Sequence, residues 1–400
     1  MSKWFKNIGP GTLVAAAFIG PGTVTICTLA GVQFGFDLLW AMTLSVVATI
    51  VLQEMAARIG IVTQKGLAEV IKEQIDSSIL KNIAITLILS AIVIGNAAYE
   101  AGNITGSSLG LLAVFGTKYS KAYPLLIGGI AFVLLFKGNY KSIEKYLIAL
   151  VLIMSISFVT AAILTKPNIG MLLRGMLVPS LPSNSLLTII GLIGTTVVPY
   201  NLFLHASLVK EKWKHTSDLK SARKDTVISI VLGGLVSMAI IISAASIGSN
   251  NIKSVLDLAK GLEPVYGAVA KYFLGIGLFA AGITSSITAP LAAAYVANSC
   301  FGWKANLKDY RFKLSWMFIL VLGIVFSLLK FTPIEIIKFA QIANGILLPV
   351  IAIFLFWIVN KSNVLGIHKN GYLQNCISII IIVIAIILGF KSIMKVLELI

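Results

Sequence analysis

Eleven runs of mostly apolar residues follow one another along this chain of 400 residues. At about 20 residues, such a run is long enough to cross the hydrocarbon core of a bilayer as a helix. Charged residues make up only 12% of the chain and hydrophobic residues 58%, which leaves too few charges to cover a water-soluble surface. The sequence therefore predicts an all-α polytopic membrane protein with eleven transmembrane helices in one domain, residues 1–400. The approximate limits of the spans are 9–31, 38–59, 82–115, 122–136, 143–164, 186–209, 226–248, 268–300, 314–330, 335–358 and 373–396.

The net charge of +17 is an orientation signal. Cytoplasmic loops are enriched in Lys and Arg, and 21 of these residues fall on the inner side if the N-terminus is cytoplasmic, against 11 on the outer side. We therefore expect a cell (inner) membrane protein with a cytoplasmic N-terminus, an outer C-terminus and contact with anionic lipid. The densest basic cluster, in 210–224, fits this rule without a nucleic-acid partner.

Two of the predicted spans contain a proline that interrupts the helix near its middle. The first span carries Gly20, Pro21, Gly22 and Thr23, and the sixth carries Pro199 within Val-Val-Pro-Tyr-Asn. A proline inside a helix removes a hydrogen bond and clashes with the preceding turn. Interrupted spans at corresponding positions are typical of transporters built from inverted repeats. The pattern predicts repeats at about 9–164 and 186–358, followed by an extra helix at 373–396.

Chemistry-bearing motifs for an enzyme are missing from the sequence. It contains no paired carboxylates, no nucleophile–base pattern and no phosphate loop outside a span. The three cysteines, Cys27, Cys300 and Cys376, lie far apart in apolar runs, without the spacing of a zinc site. Glu54 and Arg58, at i and i+4, are expected to form a structural ion pair. We expect a monomeric transporter without a resident cofactor, and the length leaves no room for the signalling domain of a ligand sensor.

Several segments resemble the Nramp family of divalent-metal transporters. The opening resembles that family in GPGTVTICTLAGVQFGFDLLW and LQEMAARIGIVTQKGLAEVI, and three later segments are TTVVPYNLFLHASLV, AAGITSSITAPLAAA and AQIANGILLPV. The resemblance covers most of the chain. It implies a LeuT-type fold of five plus five helices in inverted repeat, with broken first and sixth helices, alternating access, and often coupling to a proton or another cation.

The departures from the family pattern fall on its metal site. Gly20 and Thr23 stand where the family's Asp-Pro-Gly-Asn motif has its Asp and Asn ligands. Val198 and Tyr200 replace the Met and the His that flank the proline of the sixth span, and Leu347 replaces a Gln of the tenth. Transition metals need charged or soft donors. These changes therefore predict that no transition-metal site exists at the centre.

Other matched positions are either kept or changed in ways that bear on proton movement. His205 and Gln341 match family residues. In the third span, the family's acidic positions align with Asn96 and Tyr99. A shift of the alignment by one residue is also open, and it would place Glu100 at the second of these positions.

Without the Asp, the helix N-terminus at the first break has no carboxylate to neutralise it. Free N–H groups and the positive end of a helix dipole attract anions. Our main hypothesis is therefore import of a small anion such as bicarbonate, or of a carboxylate-bearing solute. The candidate substrate residues are Gly20, Pro21, Gly22, Thr23, Tyr200, Asn201 and Asn344. The alternatives for them are packing glycines, threonines bonded to their own helix, a core tyrosine and a turn-capping Asn.

An anion entering against the membrane potential needs a driving ion. Na⁺ is the preferred candidate, with Thr284 and Ser285 of the eighth span as oxygen ligands, although hydroxyls used for helix packing explain them equally well. Proton coupling would instead depend on Glu100 and His205, because ionisable residues within spans are usually functional. The alternative function is transport of a divalent metal cation, Mg²⁺ or Mn²⁺, coupled to H⁺.

Overall fold

The computed structural model describes residues 9–11, 19–137, 140–245, 266–303, 306–329 and 333–396. Helices dominate these ranges. In chain order they are α1 (Pro21–Phe34), α2 (Leu39–Thr63), α3 (Leu67–Glu73), α4 (Ser78–Phe115), α5 (Tyr123–Phe136), α6 (Tyr140–Leu164), α7 (Ile169–Leu177), α8 (Leu186–Thr196), α9 (Pro199–Lys212), α10 (Leu219–Ala245), α11 (Ala270–Phe301), α12 (Tyr310–Ser327), α13 (Pro333–Val359), α14 (Ser362–Leu365) and α15 (Tyr372–Val396).

Seven helices in the described ranges are long and apolar enough to cross a membrane, if α8 and α9 are taken as one. An eighth is added if Leu347–Val359 and Ser362–His368, bent by 67°, form one span. Two shorter apolar helices, Tyr123–Phe136 and Ser155–Leu164, coincide with the fourth and fifth predicted spans. The all-helical, multi-pass prediction is confirmed. The count of eleven is not reached, because α5 has only 14 residues, only Ser155–Leu164 of the 25-residue helix α6 enters the comparison, and residues 12–18 of the first span lie outside the described residues.

The helices α4 and α11 form the most extensive helix pair in the described chain. In the most apolar eighteen residues of Gly267–Phe301, 89% are buried, against 28% for Tyr372–Lys391. A helix that is apolar all round and buried belongs inside a bundle, and one with exposed apolar side chains faces lipid. Thus α11 lies at the centre of the protein and α15 at its edge.

Both predicted helix breaks are present in the described residues. Helix α1 begins at Pro21, after Gly20 in extended conformation. Helix α8 ends at Thr196, and α9 begins at Pro199 after an extended Val198. Proline suits the first helical position, where its missing N–H has no helical partner and its fixed φ is already correct. Each proline therefore starts a new helix in the middle of a span.

The first break is covered by an unusually close helix contact. A Cβ atom added to Gly106 of α4 would lie 1.9 Å from Cβ of Pro21. Only a residue without a side chain allows α4 to approach the break this closely. The contact places the polar residues of α4 beside the interrupted backbone.

Charged side chains hold together the end of the bundle near the α9–α10 connection. The Asp225 carboxylate accepts hydrogen bonds from the backbone N–H groups of Gly9, at 2.7 Å, and Gly11, at 2.8 Å. An acidic side chain at the N-terminus of a helix is favourable because it satisfies donors that have no helical partner. This contact ties the start of the first span to α10.

The expected ion pair is present at the same end. Glu54 accepts from Arg58 at 2.9 Å and from Arg223 at 2.7 Å. Arg58 also donates to Oδ1 of Asn370, at 2.7 Å. Helices α2 and α10 and the connection before α15 are therefore linked through one arginine-rich cluster.

Replacing Gly106 with Ala should destabilise the protein and reduce transport. The new methyl group would overlap Pro21, and overpacking in a filled interior costs about 1–3 kcal/mol. The control is Gly129→Ala in α5, where an added Cβ meets nothing within 4 Å. Both changes alter helix propensity alike, so the thermal midpoint in detergent should fall only for Gly106→Ala. Equal midpoints for the two variants would contradict the close contact.

Candidate functional site

Gly20 lies directly beside two polar side chains from other helices. A Cβ atom added to it would be 2.5 Å from Oγ of Ser285 in α11 and 3.5 Å from Oδ1 of Asn103 in α4. A side chain at position 20 therefore has no room in this packing. The space into which the family's Asp would begin to project is occupied by the Ser285 hydroxyl.

Glu100 of α4 is completely buried close to this point. Its Oε2 accepts from Nδ2 of Asn103 at 3.3 Å, and its Oε1 has no hydrogen-bond partner within the part of the chain that is described. Ser286 lies beside the carboxylate. We call Glu100, Asn103, Ser285 and Ser286 the oxygen cluster; it forms where α4 and α11 pack against the first break.

A hydrogen bond connects the two broken spans. Oγ1 of Thr23 in α1 lies 2.7 Å from Oγ1 of Thr195, in the last turn of α8. Both threonines are fully buried. The interrupted segments are therefore adjacent, as the predicted repeat requires.

The second break brings Tyr200 and Asn201 into the interior. The ring of Tyr200 packs edge-on against Tyr99 of α4, with centroids 5.5 Å apart. Asn201 is fully buried, and neither Oδ1 nor Nδ2 has a partner among the described residues. Buried amides are nearly always hydrogen-bonded, so an unpartnered one at a helix break is a candidate ligand group.

The buried threonines of α1 and α11 differ in their hydrogen bonds. Thr284 and Thr288 of α11 donate to carbonyl oxygens of their own helix, from Thr284 to Ala280 at 2.7 Å. The hydroxyls of Thr25 and Thr28 in α1 have no hydrogen-bond partner in the described ranges. Thr284 is thus held within its helix, whereas Ser285 next to it faces Gly20.

His205 lies outside the oxygen cluster. Its Nδ1 is 2.9 Å from Oε1 of Gln53 in α2, and its Nε2 is 3.5 Å from Oγ1 of Thr226 in α10. The ring is fully buried. These contacts fix its position between α2 and α10; its assignment to a coupling ion stays a prediction.

The structure brings part of the predicted set together. Gly20, Ser285 and Glu100 meet through Asn103, which the sequence analysis did not single out. Its signal was a polar residue three positions after Glu100, on the same helix face. Thr195 was also missed, although it directly precedes the second break. The side chain of Asn344 lies outside the described residues, as does that of Gln341.

The two ends of a helix break attract opposite charges. The end of α8 leaves last-turn carbonyl oxygens without helical partners, and the start of α9 leaves N–H groups without them. The carbonyl end is the negative end of the dipole. In broken-helix transporters such carbonyl ends coordinate cations, whereas N-terminal ends bind anionic substrate groups. The breaks alone therefore do not favour an anion over a cation.

Comparison with known proteins gives a family match along almost the whole chain. The family profile described as "Natural resistance-associated macrophage protein-like" matches residues 11–395. A relative from Erwinia tasmaniensis named divalent metal cation transporter MntH is 26% identical in an alignment of 397 positions, which covers 96% of this chain and 93% of the relative. A relative of the same name from Staphylococcus saprophyticus is 27% identical, and the alignment covers 98% of this chain and 92% of the relative. Another from Yersinia pestis is 29% identical, with 72% of this chain and 71% of the relative covered.

Solved structures of transporters share the fold. A manganese transporter from Eremococcus coleocola, in complex with an aromatic bis-isothiourea substituted compound, has a TM-score of 0.81 at 20% identity, covering 99% of this chain and 88% of its own. MhsT in complex with L-phenylalanine has a TM-score of 0.65 at 16% identity, covering 95% and 98%. Mhp1, a nucleobase-cation-symport-1 family transporter, has a TM-score of 0.62 at 15%, covering 98% and 93%. The LeuT-type fold and the prediction of a transporter rather than an enzyme are confirmed.

The main functional hypothesis, import of bicarbonate or a carboxylate-bearing solute, is wrong. The relatives that match nearly the whole chain carry the name of divalent metal cation transporters. The proposed partner, a small inorganic or carboxylate anion, and the sodium-coupled form of its import are corrected with it. The physical error was to consider only the N-terminal ends of the broken helices.

The bond between Thr23 and Thr195 can be tested by a double-mutant cycle. Thr23→Val leaves a buried hydroxyl at Thr195 without this partner, and such a loss costs about 1–3 kcal/mol. Thr195→Val should cost a similar amount. The double variant should cost less than the sum, because it removes both polar groups, as measured by thermal unfolding in detergent. Strict additivity would contradict the bond.

Proposed function

Because the chain belongs to the natural resistance-associated macrophage protein family, we propose that it is a secondary transporter that carries a hard divalent cation, Mg²⁺ or Mn²⁺, by alternating access. The observation that carries this proposal is the near-complete alignment with relatives named divalent metal cation transporters, over 96% of this chain and 93% of one such relative. A match of that extent spans both interrupted segments, at Pro21 and Pro199, which supports a common transport function.

The donor atoms at the breaks favour hard cations over soft ones. The described residues contain no group of three or more His, Cys, Asp or Glu that is able to hold a metal. What they offer is oxygen: hydroxyls of Thr23, Thr195 and Ser285, the amide of Asn201 and carbonyls at the end of α8. Mg²⁺ and Mn²⁺ prefer oxygen ligands, and Mg²⁺ keeps several of its waters. A small set of protein oxygens is therefore able to contact a partly hydrated ion, although these neutral groups do not balance its charge.

The architecture that we propose for this function has eleven spans. Five plus five helices form the inverted repeat, at about 9–164 and 186–358, and the helix at 373–396 is additional. The protein would be a monomer in the cell (inner) membrane, with its N-terminus cytoplasmic and its C-terminus outside. The support is the excess of Lys and Arg in the inner loops together with the two interrupted spans.

The orientation can be tested with two single cysteines after removal of Cys27, Cys300 and Cys376. Ser217 lies in the exposed α9–α10 connection and Ser183 in the exposed segment before α8. With a cytoplasmic N-terminus, an impermeant maleimide added to intact cells should label Ser183→Cys and leave Ser217→Cys unlabelled until the cells are lysed. The reverse pattern would contradict the orientation.

The transport proposal predicts saturable uptake of Mn²⁺ or Mg²⁺ into proteoliposomes. Purified protein is reconstituted into liposomes that enclose a metal-sensitive dye. Each ion is then added outside while the membrane potential is held negative inside. Uptake should exceed that of protein-free liposomes and should fall when the second ion is added in excess, because both compete for one set of oxygens. An inward pH gradient tests proton coupling in the same assay. Folded, reconstituted protein that moves neither ion would contradict the proposal.

A further inference from the structure

A divalent cation in a bundle of low dielectric requires an anionic partner, because a buried charge without one is very costly. At the first break that partner is missing, since position 20 is Gly. Within the described ranges, the buried Arg, Lys, His, Asp and Glu side chains of the spans are Arg58, Glu100 and His205. Arg58 pairs with Glu54, and His205 pairs with Gln53. Glu100 is the buried acid of this set.

We propose that Glu100 is the carboxylate ligand of the transported divalent cation, with the oxygens of Asn103 and Ser285 beside it. This inference rests on the function proposed above. The anionic ligand has thus moved from the first span to the third. This explains how a chain without the usual acidic residue at the break retains a site for a doubly charged ion.

The two carboxylate oxygens of Glu100 are in different situations. Oε2 accepts from Asn103 Nδ2 at 3.3 Å, whereas Oε1 has no partner of normal hydrogen-bond geometry among the described residues, with the Ser286 hydroxyl beside the carboxylate. Asn103 lies three positions along the same helix, where side chains of a helix face each other. It therefore orients the carboxylate and leaves one oxygen available for a ligand.

Asn103 also connects the carboxylate to the break. Its Nδ2 is used by Glu100, and its Oδ1 points toward Gly20, 3.5 Å from a Cβ added there. An amide oxygen is a suitable ligand for a hard divalent cation. The Glu100 carboxylate and the first break are therefore separated by a single side chain.

Ser285 supplies the hydroxyl that stands closest to the break. Its Oγ is fully buried, has no hydrogen-bond partner in the described chain, and lies 2.5 Å from a Cβ added to Gly20. A glycine at position 20 and a serine at 285 are thus sterically matched. The hydroxyl takes the space that an acidic side chain would need, and Glu100 supplies the charge.

The far side of Glu100 is closed to water. A Cβ added to Gly323 of α12 would be 2.3 Å from Cγ of Glu100, so α12 packs directly on this side chain. A carboxylate held in such a position without a cation is expensive. A proton on the carboxylate or a bound cation removes that cost. The unpartnered Oε1 and the link to the first break through Asn103 are why we infer a ligand role for Glu100 rather than a purely structural one.

The test measures Mn²⁺ binding by titration calorimetry on the purified full chain, together with Mn²⁺ flux in liposomes. Glu100→Gln should weaken Mn²⁺ binding at least about tenfold, since even residues that only support ligands are worth 10–100-fold. Glu100→Asp keeps the charge and should lose less. The matched control is Glu73→Gln, which removes an exposed carboxylate paired with Lys65 outside the spans and should leave binding unchanged.

A compensating variant sharpens the assignment. Gly20→Asp combined with Ser285→Ala returns a carboxylate to the break and removes the atom that blocks it. Added to Glu100→Gln, this pair should restore Mn²⁺ binding to within about tenfold of the unchanged protein. Gly20→Asp alone should not, because Ser285 leaves no room for it. If Glu100→Gln does not fold, Ser285→Ala tests the site instead. Its affinity for Mn²⁺ should fall about fivefold, because one neutral contact to the ion is lost.

The outcomes separate this inference from the proposed function. If the unchanged protein binds and transports Mn²⁺ and Glu100→Gln binds it equally well, Glu100 is not a ligand and the inference is overturned. A variant that binds normally but loses the pH dependence of flux overturns it too, because Glu100 then carries protons only. If the unchanged protein neither binds nor transports Mn²⁺ or Mg²⁺, the proposed function fails first.

Discussion

The broken backbone at Pro21 and Pro199 is the constraint on which the rest of this structure depends. In a bilayer, N–H and C=O groups without helical partners are tolerated only where protein or a water-filled cavity surrounds them. The two breaks are accordingly covered by α4 and α11, the most extensively packed helix pair in the described chain. Gly106 permits α4 to pack directly against Pro21. The same packing brings buried polar side chains, which an apolar bundle would otherwise exclude, to the interrupted helices.

The charge balance of the site follows from this packing. A membrane interior tolerates a carboxylate only with a partner or a function, and Glu100 is fully buried with one oxygen unpartnered. In its ionised form Glu100 would repel an anion and stabilise a divalent cation. The hydroxyl of Ser285 occupies the space beside Gly20 into which an acidic side chain would begin to project. In this account, the absence of an acidic ligand at Gly20 and the presence of Glu100 belong to the same packing arrangement.

Much of the fold could be predicted from the sequence, because its signals are local. Apolar runs of span length indicate helices, and a proline in mid-span indicates a break; both were found in the described residues. The site was only partly predictable, since helix rotation decides which polar residues meet. Glu100 and Ser285 were named as coupling-ion residues, yet nothing in the sequence placed them with Asn103. The sign of the substrate charge was predicted wrongly, because a helix break offers a negative carbonyl end as well as a positive one.

The most direct test of the central claim, that a divalent cation binds at the oxygen cluster, is anomalous scattering from Mn²⁺ in crystals of this protein. The account predicts one strong peak between α4 and α11, within direct ligand distance, about 2–2.5 Å, of Glu100 Oε1 and with Ser285 Oγ in its coordination shell. A peak held by Thr23 and Asn201 without Glu100, or no peak at saturating Mn²⁺, would contradict it.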